Sequence, residues 1–272
     1  MKLPIDGQEA YVYTGGKPFD AALPCIVFIH GALNDHSVWT LLARWCAHHG
    51  YAVLAPDLPG HGRSAGLPLQ SVEALAAWQL KLLAATGVAQ ATWVGHSMGS
   101  LIALEAAAQR PAQAARLVMV GTAYPMKVSD TLLATARERP EDAMAMVCSF
   151  SHGLASAKPS YPGPGSWLRG GSMALMRHLQ ARQTAANLFE QDFLVCDRYA
   201  GAEAATARVT CPVDLVLGKF DQMTPAKAVA PLQTAWPSAR THILPCGHNL
   251  MGEAPEQLLS VLRRLLPAPG TH

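Results

Sequence analysis

Charge is scarce in this chain. Asp, Glu, Lys and Arg make up 15 % of its 272 residues and almost cancel, leaving a formal net charge of +2. So small a balance, with no block of basic residues, gives no footing for nucleic-acid binding. Long apolar runs are missing as well. None reaches the roughly 20 residues of a membrane span, so no membrane partner is expected. The opening stretch Met1-Lys2-Leu3-Pro4-Ile5-Asp6-Gly7 lacks the apolar region of a signal peptide, which points to a cytoplasmic protein. The six cysteines, Cys25, Cys46, Cys148, Cys196, Cys211 and Cys246, contain no C-x-x-C pair. In a chain of this length that spacing predicts free thiols in a reducing compartment.

What the chain has is apolar material: half its residues are hydrophobic. That supports one large α/β domain, with or without an insertion. Strand and helix patterns alternate. Residues 9–13 read as an antiparallel edge strand and 25–30 as a core strand. A helix over 37–49 stops at Gly50, and 51–55 is the next strand. Ser71 N-caps a helix that runs to Thr86 and ends at Gly87. Strands at 91–94 and 116–120 flank a helix that stops before Pro111. Alternation of this kind implies a parallel sheet covered on both faces. The rhythm breaks after Thr122. Helical stretches at 130–137, 141–150, 172–188 and 202–207 surround a Pro/Gly-rich run at 159–165. The sheet resumes at Val213, Thr224-Pro225 opens a further helix as N-cap and N1, and 254–265 is the last helix.

The most informative stretch is Gly95-His96-Ser97-Met98-Gly99, a G-x-S-x-G sequence between a short apolar strand and an alanine-rich helix. A strand turning sharply into a helix puts the central serine at the apex, exposed above the sheet edge. The glycines two residues away on each side let the two arms pass closely. Gly and Ser are common residues, so the pentapeptide alone does not define a nucleophile. A serine nucleophile also needs an imidazole to take its proton and a carboxylate to hold that imidazole. Two loops at strand ends supply them. Asp221 follows the strand 213–218, and His248 follows the strand 241–245. Strand ends of a parallel sheet lie on one edge, so Ser97, Asp221 and His248 converge in the chain order Ser, Asp, His. Asp214 lies inside its strand and points to a face. Cys246, two residues before His248, has no elbow around it. Asp57 and Arg63 read as parts of a structural turn.

Taken together, these motifs resemble the α/β-hydrolase fold family. The matches are Phe28-Ile29-His30-Gly31, the run Asp57-Leu58-Pro59-Gly60-His61-Gly62-Arg63-Ser64, the Gly-His-Ser-Met-Gly elbow, Gly218 through Asp221, and Gly247-His248. The resemblance implies a mostly parallel central sheet with helices on both faces and a helical cap inserted in it. Residues 1–123 and 210–272 would form the core and 124–209 the cap. It implies an oxyanion hole built from the backbone N–H groups of Ala32 and Met98, and structural roles for His30, His61 and His96. Some members carry the acid after the preceding strand, but the loop Gly121-Thr122-Ala123-Tyr124-Pro125 holds no carboxylate, which favours Asp221. Leu33, Tyr124, Trp167 and Met173 are the candidate substrate contacts. Met126, Met144, Met146, Met173 and Met176 would either line an adaptable apolar pocket or pack the cap.

The activity so implied is cleavage of a small to medium carboxylic ester through an acyl-enzyme, with no metal or organic cofactor and a small-molecule ester as the substrate partner. The same triad could serve a carbon–carbon bond hydrolase, a lactonase or a thioesterase. Gly31-Ala32-Leu33-Asn34-Asp35 departs from the Gly-rich, Pro-containing loop of carbon–carbon bond hydrolases. It also lacks the triple glycine of some lipase-type esterases, which disfavours bulky tertiary-alcohol esters. Ser97 argues against dehalogenases and epoxide hydrolases of this fold, which carry aspartate at the elbow. A non-catalytic receptor on the same fold is the third reading, distinguished by turnover of a chromogenic ester.

Overall fold

A computed structural model describes residues 1–269. Eight strands form one sheet: β1 (Lys2–Ile5), β2 (Gln8–Tyr13), β3 (Cys25–Ile29), β4 (Ala52–Pro56), β5 (Ala91–His96), β6 (Ala114–Val120), β7 (Val213–Gly218) and β8 (Arg240–Leu244). Their spatial order is β1-β2-β4-β3-β5-β6-β7-β8. From β4 to β8 every pairing is parallel, whereas β1 pairs antiparallel with β2 and β2 with β4. The residues read as an edge strand are therefore one place inward, because Lys2–Ile5 adds an outer strand. That four-residue strand, interrupted by Pro4, is too short to stand out in the sequence.

The central strands are apolar throughout because both faces are covered. In β3, Cys25, Val27 and Ile29 enter one core layer while Ile26 and Phe28 enter the other, as the two-residue period of a strand requires. The helices of the first half are α1 (Thr40–Ala47, preceded by a short 3-10 turn at His36–Trp39), α2 (Val72–Ala85) and α3 (Met98–Gln109). Ser71 caps α2 by accepting from the Ala74 N–H at 3.1 Å, and Gly50 and Gly87 take positive φ after their helices. Almost every residue of α3 is buried; its alanines let it sit close against β5 and β6.

Between β6 and β7 the chain leaves the sheet and forms α4 (Asp130–Glu138), α5 (Pro140–Ser151), α6 (Leu168–Arg182), α7 (Leu188–Arg198) and α8 (Ala202–Thr206). The single helix expected at 172–188 is thus replaced by α6 and α7. They part at Asn187, whose side chain accepts from the Glu190 N–H at 3.2 Å and so starts a new helix. After β7 come α9 (Ala230–Ala235), α10 (Leu250–Glu253) and α11 (Pro255–Leu265). Thr224 does not cap a helix. A 3-10 turn begins only at Ala226, because the Thr224 hydroxyl is engaged elsewhere.

All six cysteines are free; Cys211 is half-buried and the other five are buried. Burial pushes the Cys25 and Cys46 thiols up to about 12 and Cys148 to about 11. No helix among the described residues is long and apolar enough to cross a membrane.

Candidate active site

Ser97 sits between β5 and α3 with φ 53° and ψ −122°, a conformation that L-residues rarely adopt and that marks a local constraint. Its N–H donates to the Val120 carbonyl at 2.9 Å. The turn is possible only because both arms lack side chains. A Cβ on Gly95 would overlap the Gly99 carbonyl, and one on Gly99 would overlap the carbonyls of Ile29 and His30. The elbow is therefore fixed by backbone contact, and it turns the Ser97 side chain into a cavity.

His248, on the loop after β8, lines the same cavity and is buried. Its Nδ1 lies 2.8 Å from Asp221 Oδ2 and 3.1 Å from the Thr224 hydroxyl. Asp221 is on the loop after β7, and its carboxylate is fully engaged. Oδ1 accepts from the N–H groups of Met223 and Thr224, both at 2.8 Å, and Oδ2 also accepts from the Thr224 hydroxyl at 2.7 Å. A short polar side chain that bonds its own backbone two and three residues on makes a tight turn, and this turn withholds Thr224 from a helix cap. Burial alone would raise the Asp221 carboxyl, but the His248 imidazole and the Thr224 donors outweigh it and hold the group at about 2. An ionised carboxylate only accepts, so Nδ1 of His248 donates to it; in the neutral imidazole that tautomer leaves the lone pair on Nε2.

A second histidine backs the first. The His96 and His248 rings lie 4.7 Å apart, and His96 Nε2 donates to the His248 carbonyl at 2.8 Å. Burial, followed by the nearby His248 charge, pushes His96 down to about 3. A neutral His96 thus fixes the loop without adding a competing proton. His30 is structural in the same way, its Nε2 accepting from the Leu58 N–H at 3.1 Å.

The N–H groups of Ala32 and Met98 face no hydrogen-bond acceptor among the described residues, and Ala32 lines the cavity beside Ser97. Two free backbone donors near a nucleophile are what an oxyanion requires. Asp214 is elsewhere: it pairs inside the sheet with Arg116 at 2.5 Å and His242 at 3.0 Å. Cys246 is buried, and burial, then the Glu253 and Asp221 charges, holds its thiol protonated at about 12.

The cavity measures about 640 Å³, within the range of small-molecule sites. Its remaining walls come largely from the inserted helices, including Met146, Phe150, Trp167, Met176 and Phe193. Of the four candidate substrate contacts, Trp167 lines it and is 52 % exposed at its rim. The other three do not. Leu33 is fully buried in the apolar cluster of the inserted helices, and Met173 packs against that cluster. Tyr124 packs on the main core and against Tyr199, with ring centroids 6.1 Å apart. Leu33 is expected there from its place on the loop after β3, and Tyr124 and Met173 as apolar residues of the insertion; in each case an apolar side chain near a cavity is as readily turned into core. The methionines divide, with Met126, Met146 and Met176 on the cavity and Met144 in the cluster.

Sequence reasoning missed two connections from the insertion to the site. The Ser151 carbonyl, at the end of α5, accepts from the N–H groups of His248 and Asn249 at 2.8 and 3.1 Å. Glu253 Oε2 accepts from Gly153 N–H at 2.9 Å, Gly247 N–H at 3.1 Å and the Ser156 hydroxyl. His152 also lines the cavity, its Nδ1 donating to the Cys148 carbonyl at 3.0 Å. Asp35, His36 and Asp57 cluster closely enough to suggest a cation site, but both Asp57 oxygens, His36 Nδ1 and Asp35 Oδ1 are already hydrogen-bonded. Asp57 accepts from both the N–H and Nδ1 of His36 and from the Arg63 N–H, at 2.7–2.8 Å, and Asp35 accepts from the Ser37 N–H at 2.8 Å. They tie a turn together. Arg63 makes no ion pair with Asp57; its guanidinium lies over the Tyr11 ring at 4.8 Å.

A family model described as alpha/beta hydrolase fold matches residues 24–255. The chain belongs to the alpha/beta hydrolase fold family. Among curated proteins it is similar to the pimeloyl-(acyl-carrier protein) methyl ester esterase of Klebsiella pneumoniae, 25 % identical over 79 % of this chain and 82 % of that protein. Among solved structures it is similar to an esterase from Exiguobacterium antarcticum, at a TM-score of 0.81 and 16 % identity over 97 % of this chain and 98 % of that one. It is also similar to the enol-lactonase of Burkholderia xenovorans LB400, at a TM-score of 0.78 and 18 % identity over 97 % and 98 %.

Proposed function

We propose that this hydrolase cleaves small to medium carboxylic esters through an acyl-enzyme on Ser97. The observation that carries the reading is the hydrogen bond from His248 Nδ1 to Asp221 at 2.8 Å, with Ser97 at an elbow on the same cavity. Nε2 of His248 takes the Ser97 proton as Oγ attacks the ester carbonyl. The N–H groups of Ala32 and Met98 stabilise the oxygen that becomes negative. Collapse expels the alcohol, which receives the proton from His248. Water, deprotonated by the same imidazole, then attacks the acyl-enzyme and releases the acid. Residues 124–209 act as a cap that selects the acyl or alcohol group through apolar walls such as Trp167 and Met176. The free thiols support a cytoplasmic location.

A lactone is an internal ester and would follow the same steps. The similarity to an enol-lactonase makes it the second reading. A panel of p-nitrophenyl esters of rising acyl length, run beside simple lactones, separates the two. Ester turnover with an organophosphonate adduct mapped to Ser97 is the expected result. An adduct on Cys246, or no turnover of either class, would sink the serine mechanism.

A further inference from the structure

We propose that Asp192, reaching across from the inserted helix α7, is a positioning residue for the oxyanion donor Ala32. The proposal rests on the ester-hydrolase reading above. Asp192 is buried, and its Oδ2 accepts two hydrogen bonds: from the Leu33 N–H at 2.8 Å and from His61 Nε2 at 2.9 Å. The other ring nitrogen of His61 faces the Pro59 carbonyl at 3.1 Å. An ion pair as buried as this one is a weak means of holding two elements together, since apolar packing does so as well or better. What a carboxylate does here that an apolar side chain cannot is satisfy the Leu33 N–H.

That N–H needs an acceptor because of the backbone. Leu33 has φ 50°, a left-handed conformation that a residue with a Cβ rarely adopts. The turn aims the N–H into the insertion, where without Asp192 it would be a buried orphan. The carbonyl on the other side of the same peptide, that of Ala32, accepts from Asn34 Nδ2 at 3.1 Å. The Ala32–Leu33 peptide is thereby held at both ends. Freeing it would let ψ at Ala32 relax, and the loop that carries the Ala32 N–H would lose the seat that holds this donor beside Ser97.

Helix α7 grips the loop a second way. Asp192 and Phe193 follow Phe189 by three and four residues, so the three fall on one stripe of the helix. They share an apolar cluster with the Leu33 side chain. Phe193 also lines the cavity. One helix face therefore touches the space a substrate occupies and fixes the loop that carries an oxyanion donor.

The test removes the acceptor and, separately, the donor. Asp192→Ala should lower kcat on p-nitrophenyl acetate by roughly 10²-fold, the effect of about 1 Å of misplacement, while KM stays within about threefold. Phosphonate addition to Ser97 should slow in parallel, because the phosphoryl oxygen uses the same donors. Asp192→Asn keeps an acceptor oxygen and should retain kcat within about tenfold, the expected scale for a bond kept without its charge. Replacing Leu33 by its α-hydroxy acid counterpart, which turns one amide into an ester and removes only the N–H, should reproduce the Asp192→Ala loss. Unchanged kcat in that backbone variant overturns the proposal, and it decides the matter alone if Asp192→Ala fails to fold. Equal losses in the folded Ala and Asn variants overturn it too, since they would tie the effect to charge. Turnover that persists in Ser97→Ala would remove the ester-hydrolase reading and this inference with it. Ser97-dependent turnover that ignores the Leu33 N–H would remove the inference alone.

Discussion

The loops at the sheet edge and the helices inserted between β6 and β7 enclose one cavity from opposite sides, yet they are held in different ways. Ser97, Asp221 and His248 each stand at the end of a strand, and backbone contacts fix the positions: the Gly95 and Gly99 arms, the turn from Asp221 to Thr224, and the His96 bond to the His248 carbonyl. The insertion contributes side chains, chiefly Met, Phe and Trp, whose packing has no such geometric lock. Changes at the sheet edge should therefore act on chemistry nearly all-or-none, and changes in the insertion should act by degrees on selectivity. Asp192, Ser151 and Glu253 are among the places where the two halves bond directly.

The largest effect that sharpens this contrast is expected from Ser97→Ala. It should lower kcat by about 10⁴-fold or more while leaving thermal unfolding unchanged, because triad losses are of that order and the side chain faces a cavity. A folded variant that keeps more than about a tenth of wild-type kcat would break the comparison at its root.

Asp221→Asn comes next. Loss of the orienting carboxylate costs on the order of 10⁴-fold in a well-characterised triad. Asp214→Asn, which weakens the pairs with Arg116 and His242 inside the sheet, should instead cost about 1–3 kcal/mol of stability with kcat per folded molecule little changed. Equal activity losses would mean that position at a strand end does not decide the acid. The same pair has a pH signature. Asp221 is held at about 2, below its ordinary value of 3.8. It therefore contributes stability that is fully present above about pH 4 and is lost as pH falls toward 2. Chemical denaturation across that window should show a fall in wild-type stability that Asp221→Asn flattens.

The smallest and most graded effects belong to the cavity walls. Trp167→Ala and Met176→Ala should shift acyl-length preference by roughly 10- to 200-fold, the scale of a methylene or two in an apolar pocket. kcat on the shortest ester should move little. Met173→Ala serves as the control, since Met173 packs against the cluster beneath the wall; it should lower stability and leave the length profile alone. A profile that ignores Trp167 and Met176 in folded proteins would deny the insertion its selective role.

The same contrast governs what could be read from the sequence. The elbow, the two strand-end loops and the strand alternation were legible because close approach demands glycine and buried parallel strands demand unbroken apolar runs. The insertion was not legible at that level. Its helices were expected, but 172–188 hid a helix end and a helix start, although Asn187 and Glu190 form an N-cap spacing that could have revealed the break. Leu33, Tyr124 and Met173 turned into core, and Asp192 found partners 131 and 159 residues away. No local pattern encodes such pairings. Thr224 shows a local rule outcompeted: Thr-Pro favours a helix start, but a buried carboxylate three residues earlier offered the hydroxyl a stronger partner.

The sealed cysteines turn the protein into its own clock. A buried thiol held protonated reacts with a soluble disulfide or maleimide only when its surroundings open, so modification rates read local opening equilibria wherever reclosing is fast. Cys196 lies on α7, four residues after Asp192, and Cys246 lies two residues before His248. Mass spectrometry of which thiol reacts first would time the inserted helices and the His248 loop separately, with no label engineered into either.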